Sequence, residues 1–296
     1  MAGATQQQKV DLREPRSWRR AKNRVATVLM VVAFVLVIIP LGFVLYTVIS
    51  KGASIISGRF LTSSIPFNAA PANVGGMGPA VLGTLLITAL AAVIAIPLGI
   101  LGAIYVNEYG GNQFLTRLIR LMSDVMTGVP SIVMGLFIFA IWVIHFGYSG
   151  LAGALALGCL MLPIVIRSSE EMLKLVPESL REGSYALGAT KARVTMTVVL
   201  PAALGGIVSG ALLAVARAAG ETAPLLFCIL TVQSANPNVF AGANTALSTQ
   251  IFANATQPYV GAQARAWGAA LTLIAIAFIL MIAARLVTGR VARFAR

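Results

Sequence analysis

Acidic residues are scarce in this chain: nine Asp and Glu stand against 22 Lys and Arg in 296 residues, and charged side chains make up only 10% of the whole. A soluble domain usually carries about a quarter of its residues charged, so a hydrated globular surface of this size is excluded. Histidine occurs once and cysteine twice. Cys159 and Cys228 both lie in apolar runs, which points to packing rather than to a disulfide or a metal-ligand pair. The phosphate-cradling loop G-x-x-x-x-G-K-[ST] is missing, because "GATKAR" at Gly188 lacks its spacing. Nucleotide hydrolysis by this polypeptide is excluded with it. There is neither an internal repeat nor a low-complexity tract.

What the chain does have is apolar sequence, 58% of its residues, with a mean hydropathy of +0.88. Windows long enough to cross a bilayer run from about Val25 to Ile49, Val81 to Val106, Met126 to Phe146, Leu151 to Ile166, Leu204 to Leu230 and Trp267 to Val287. The expectation is an all-α integral membrane protein with six transmembrane helices. The first run follows a basic arm but is about 25 residues long, roughly twice the apolar region of a secretory signal, and reads as an uncleaved helix. Residues 1–24 are then a basic arm, 25–49 the first span, 50–80 an outer loop, 81–287 the core and 288–296 a tail.

A formal net charge of +13 would suit nucleic acid if the basic residues were spread over a surface. They are not. Eighteen of the 22 fall in the arm, between spans two and three, between spans four and five, or at the end of the chain; Lys51, Arg59 and Arg265 fall on the other side, and Arg217 lies inside a span. The positive-inside rule places both termini in the cytoplasm, as six spans require, against membrane lipid and with no nucleic-acid partner.

The two outer loops, about 50–80 and 231–266, are polar, read as adaptable, and are longer than most connections, which favours a docking role over a disordered connection. Gly147 to Gly150 makes spans three and four a tight hairpin. The cytoplasmic stretch "RSSEEMLKLVPESLREGSYALGATKARVTMT" has helical composition interrupted by Pro177, so one helix ends near Leu175 and another starts near Pro177. The second is short and amphipathic, fit either for lipid headgroups or for a partner's groove.

Within that stretch, "EGSYALGATKARVTMTVVLP" resembles the EAA motif of ABC importer permeases: Glu182, Gly188, Val198, Leu200 and Pro201 fall in register. Gly183 and Ser184 replace the two alanines of that motif, and Gly costs about 1 kcal/mol of helix stability relative to Ala. With "VPSIVMGLF" at Val129, "LPIVIRSSEEMLKLVPESLREGSYALGATK" at Leu162 and "ARAAGETAPLL" at Ala216, the chain is similar to the PstA-type permease subunits of bacterial phosphate importers, a sister PstC-type sequence carrying a related Arg and Glu. The resemblance implies a type I (MetI-like) ABC permease in the bacterial plasma membrane. It implies a PstC-type sister permease, a homodimeric PstB-type ATPase that binds ATP and Mg²⁺, and a PstS-type extracytoplasmic phosphate-binding protein, with no cofactor in this chain. It further implies a coupling helix near 178–191, and ATPase coupling through Glu182, Gly183, Ser184, Tyr185, Leu187, Gly188, Lys191, Leu200 and Pro201.

Arg217 and Glu221 interrupt an otherwise apolar run. A charge at the centre of a membrane helix costs roughly 3 kcal/mol, so both must face protein or water. Their i, i+4 spacing puts them on one helix face, and Pro224 is expected to break the helix just beyond them. A guanidinium offers forked donors suited to an oxyanion, and Glu221 would either hold it between cycles or accept the proton of a protonated phosphate, which sulfate lacks. Mutual neutralisation in a packed interface is the alternative. Thr222 and Ser131, the latter after Pro130, complete the candidate pathway residues. Asp124 is expected to pair with Arg120, and Arg167 with Glu170 and Glu171.

Two rivals remain on sequence grounds. "GYSG" at Gly147 has the form of the nucleophile motif of rhomboid proteases, but His145, the one histidine, precedes Ser149 and no later base exists. A permease for sulfate or molybdate would share the coupling helix and differ in its cavity.

Overall fold

The computed structural model describes residues 17–111 and 113–294. The expected arm up to Arg16 and the last two residues of the tail lie outside the described residues. Two compact units divide the chain, one up to Thr47 and the other from Val48 onward. The first is a helix, α1 (Ser17–Gly52, whose last residues belong to the second unit), so residues 17–24 of the expected arm are helical. Its apolar side chains from Val25 to Val44 are exposed, as a lipid-facing or partner-facing surface requires.

The second unit is built from α2 (Gly58–Thr62), α3 (Gly78–Tyr109), α4 (Phe114–Gly128), α5 (Ser131–Phe146), α6 (Gly150–Lys174), α7 (Glu178–Ala186), α8 (Lys191–Ala219), α9 (Leu225–Cys228), α10 (Leu247–Ala255) and α11 (Val260–Phe294). Among the described residues there is no strand. Five helices are long and apolar enough to span, and α4 with α5 makes the sixth as a bent pair. Helix α6 lies at the centre, packed against α3, α8 and α4, while α8 and α10 pack on α11. The core between α3 and α6 is rich in alanine, including Ala91, Ala95, Ala152, Ala154 and Ala156. Small residues are what membrane helices use to bring their backbones close, because lipid provides no hydrophobic drive for association.

Three departures from the sequence-based spans matter for function. The third span does not begin at Met126: α4 and α5 meet at a 108° bend, with Val129 extended (ψ 130°) before Pro130. The proline ring disfavours a helical residue before it, and that steric rule sets the corner. The fourth span, expected to Ile166, runs without a break into the helix expected to end near Leu175, so that both are one helix, α6, ending at Lys174. This brings the carboxylate of Glu170, 1% exposed, against α4, where it pairs with Arg120 (2.9 Å) and Lys174 (2.7 Å), while Arg167 bridges Glu170 (3.4 Å) and Asp124. The expected Arg120–Asp124 pair gives way because a buried carboxylate cannot be left without cations, whereas the exposed Asp124 has water.

The third departure is in the long loops, which are fastened rather than adaptable. Asn244 accepts from Gly150 N (2.8 Å) and donates to Asn236 O (2.8 Å), and the Thr84 hydroxyl accepts from Leu247 N (2.8 Å). Helix α10 occupies the middle of the second loop, and α11 starts at Val260, before the expected Trp267. The first loop is held by Arg265, 0% exposed, whose Nη1 donates to Ala70 O and Pro71 O (3.0 Å each) and Nη2 to Phe67 O (3.2 Å) and Asn68 O (3.1 Å). Four carbonyls stand in for a carboxylate. Replacing Arg265 with Ala should lower stability by about 1–3 kcal/mol and speed proteolysis within residues 67–71, because Asn68 O and Ala70 O lose their donor while Phe67 O and Pro71 O keep only Ala70 N and Val74 N. Replacement with Lys should recover only part of that, since an ammonium cannot fork across four carbonyls; thermal unfolding in detergent and limited proteolysis read both effects.

Candidate functional site

Helix α8 stops inside the charged string. Its last turn tightens, with Gly220 N bonded to Arg217 O and Glu221 N to Ala218 O, each at 3.1 Å, so the final helical residue is Ala219. The break therefore falls between Arg217 and Glu221 and not beyond them. The end of a helix leaves backbone groups to be satisfied, and the following segment does so locally: Ser248 Oγ donates to Glu221 O (3.0 Å) and Leu226 N to Thr222 O (3.2 Å).

Glu221 still approaches Arg217 from the loop, but loosely, at 3.7 Å from its carboxylate to Nε. The Arg217 side chain is 68% exposed and that of Glu221 20%. Among the described residues no side chain or carbonyl accepts from the two terminal nitrogens of Arg217. The contact is loose and open within this chain, in contrast to the buried Arg265, each of whose terminal nitrogens donates to two carbonyls.

Arg217, Glu221 and Ser131 line one cavity of ≈ 240 Å³, together with the α4–α5 corner at Val129 and Pro130 and with Met161 and Ile164 of α6. At about 30 Å³ of liquid volume per water, that space suits a small ion with a few waters rather than a drug-sized ligand. Thr222 is half-buried and lies outside the lining. The geometry depends on Gly135 of α5: a Cβ there would stand 2.6 Å from the Cα of Pro224, so only glycine lets the segment after Glu221 lie against α5. The buried Cys228 thiol contacts Gly135 O (3.6 Å) from the same segment. Sequence reading missed Gly135, although it sits in "VPSIVMGLF"; a close approach across ninety residues leaves no local mark.

The second predicted cluster lies around α7. Glu182, Gly183, Tyr185 and Leu187 are exposed, Leu187 at 90%, and Ser184 is half-buried with its hydroxyl on Leu180 O (2.8 Å). Gly188 closes the helix with φ +79°, its N–H on Tyr185 O (2.9 Å), a left-handed position that a side chain adopts only with strain. Nothing surrounds Gly183 within 4 Å, so the departure from alanine there has no packing cause. Lys191 opens α8 with its Nζ 5.4 Å from the Tyr109 ring centroid. Leu200 N bonds back five residues to Thr195 O, a widened π turn that accommodates Pro201, which has no amide hydrogen to give. Leu200 and Pro201 thus belong to the root of α8, apart from the exposed face of α7.

Ser149 caps α6, its Oγ accepting from Ala152 N (3.2 Å), and is 5% exposed. The exposed His145 has Phe146 as its ring neighbour. The hydroxyl is committed to a helix cap, and no protease dyad is formed.

A family model for the binding-protein-dependent transport system inner membrane component matches residues 95–293. The phosphate transport system permease protein PstA 1 of Mycobacterium tuberculosis is 43% identical over 272 residues, 91% of this chain and 88% of its own length. The phosphate transport system permease protein PstA of Yersinia pestis is 40% identical over 281 residues, 94% of each. An inward-facing structure of the MetNI methionine ABC transporter aligns with a TM-score of 0.55 at 19% identity, over 73% of this chain and 94% of that one, which speaks to the fold alone.

Gly135→Ala should destabilise the chain by about 1–3 kcal/mol, as overpacking does, because both sides of the contact are backbone. Gly128→Ala, with nothing within 4 Å of its Cβ, is the matched control and should change little. Thermal unfolding of the two variants side by side checks this.

Proposed function

The chain belongs to the family of binding-protein-dependent transport system inner membrane components, and from that premise we propose that it is the PstA-type permease subunit of an ATP-driven phosphate importer. Both termini face the cytoplasm, and so do α7 and the basic connections. A PstC-type sister completes the pathway, a PstB-type ATPase dimer binds ATP and Mg²⁺ beneath α7, and a PstS-type binding protein docks on the fastened outer loops. The observation that supports this most is Arg217, a guanidinium with free terminal nitrogens facing a small cavity in a membrane protein. Phosphate as the ion follows from the chain's likeness to phosphate transport system permeases.

In the transport cycle, phosphate released from the binding protein enters the cavity and two of its oxygens take the forked donors of Arg217. Ser131 offers a hydroxyl at the opposite wall. Glu221 holds Arg217 loosely between cycles and accepts a hydrogen bond from the protonated oxygen of the ion, which favours phosphate over sulfate. The site must bind weakly enough to release. Closure of the ATPase moves the exposed face of α7, with Glu182, Tyr185 and Leu187 as its contacts, and Gly188 allows the chain to turn from α7 into α8. Hydrolysis resets the spans.

ATP-dependent uptake of labelled phosphate into vesicles holding the four-protein complex tests the reading. Arg217→Ala and Arg217→Lys should each lower uptake by about tenfold or more, with assembly intact by pull-down, since a charge-assisted pair of bonds is lost or made in the wrong geometry. Uptake near the wild-type rate in both would contradict it. Glu221→Gln should keep uptake while raising inhibition by excess sulfate. Gly188→Val should leave membrane insertion intact and raise the ATP hydrolysed per phosphate moved, because valine strains the left-handed turn.

A further inference from the structure

A nine-residue helix with exposed side chains cannot move a membrane span unless something ties it to that span. The opposite face of α7 supplies the tie. Arg181 is 7% exposed, and its guanidinium joins three helices. Nη1 donates to Val176 O (2.7 Å) and to Glu178 Oε2 (3.2 Å); Nη2 donates to Leu173 O (2.9 Å) at the end of α6 and to Glu108 Oε1 (3.0 Å) at the end of α3.

Glu108 is itself 8% exposed and sits in a π turn, Tyr105–Tyr109, where Asn107 Nδ2 also donates to its Oε1 (2.7 Å). The next residue, Tyr109, carries Lys191 on its ring. The last turn of α3 therefore grips the connecting segment on both sides of Gly188, at Arg181 before it and at Lys191 after it. A buried pair with its other donors satisfied is stiff, and removing one partner leaves an uncompensated charge that the structure must rearrange to hydrate. Single π turns inside α-helices recur at functional sites, and the grip falls on one, Tyr105–Tyr109.

We infer that the buried Arg181–Glu108 ion pair is the linkage through which movement of α7 reaches α3, with Arg181 a positioning residue for coupling. This rests on the importer reading for the existence of an ATPase below α7. It does not rest on phosphate. The remaining cations of this region, Lys174 and Lys191, are engaged elsewhere, with Glu170 and Tyr109, and neither replaces Arg181 in its bond to Glu108.

The test uses the assembled four-protein complex with a cysteine in place of Thr127, which lines the cavity. Labelling of that thiol by a membrane-impermeant maleimide is followed with and without ATP, against the same complex without the added cysteine. In the otherwise unchanged chain, ATP should alter the labelling rate by about tenfold as the cavity opens and closes. Arg181→Ala should abolish that response while the ATPase remains bound in pull-downs and continues to hydrolyse ATP, and Arg181→Lys should restore part of it. Arg181→Ala also frees two carbonyls, so Glu108→Ala, which leaves the other three acceptors of Arg181 in place, is the second variant and should likewise lose the response. An unchanged response to ATP in Glu108→Ala, with the ATPase bound, would overturn the linkage. If the unchanged chain responds to ATP and both variants do not, yet phosphate uptake is absent, the linkage stands and the substrate assignment fails.

Discussion

A guanidinium in an apolar helix must be hydrated, paired or bound to something brought in from outside, and the architecture around Arg217 is organised by that requirement. Arg265 shows what the packed solution looks like here: no exposure and four carbonyls in contact. Arg217 shows the other. Its helix ends two residues later, its one carboxylate stands at 3.7 Å from a different segment, and a cavity opens in front of it. The 108° corner between α4 and α5 supplies the facing wall, and the contact of Gly135 with Pro224 holds the segment carrying Glu221 in place. A continuous helix through Glu221, as the apolar run suggests, would close a tighter i, i+4 pair and leave Arg217 fewer free donors.

The far end of the same unit is built on the reverse principle. There the charges are sequestered in pairs: Glu170 with three cations, and Arg181 with Glu108 and Glu178. Ion pairs anchored on a buried Glu170 or Arg181 define geometry more than they add stability. They tie α4 to α6, and α7 to α3 and α6, so that the small exposed face of α7 is continuous with helices that line or flank the cavity. Rigid ties at one end and a loosely held cation at the other suit the proposed cycle, in which movement is transmitted and the ion is let go.

Much of this was legible in the sequence because the signals are local. Hydropathy locates the membrane helices, and Pro177 marks the gap between α6 and α7 to within a residue or two, whereas α7 ends at Ala186, before the left-handed Gly188 and short of the 191 expected for the coupling helix. Arg217, Glu221 and Ser131, eighty or more residues apart at the extremes, line one cavity. What sequence concealed depends on distant partners. Nothing near Glu170 indicates that α4 will cover it, and Arg265 looks like an ordinary interfacial cation until the carbonyls of residues 67–71 are placed around it. The Asn and Gln of the second long loop suggested adaptability, yet Asn244, Gln250 and Asn254 are buried and bond to backbone and to one another. Thr222 adjoins Glu221 in the string, but the end of α8 at Ala219 leaves it outside the cavity lining.

The most direct test is to see the ion. A cryo-electron microscopy structure of the assembled complex, trapped with phosphate before hydrolysis, should show tetrahedral density within hydrogen-bonding reach of both terminal nitrogens of Arg217, on the cavity side facing Ser131. Density at another site, with Arg217 closed onto Glu221 or onto the sister subunit, would contradict the account.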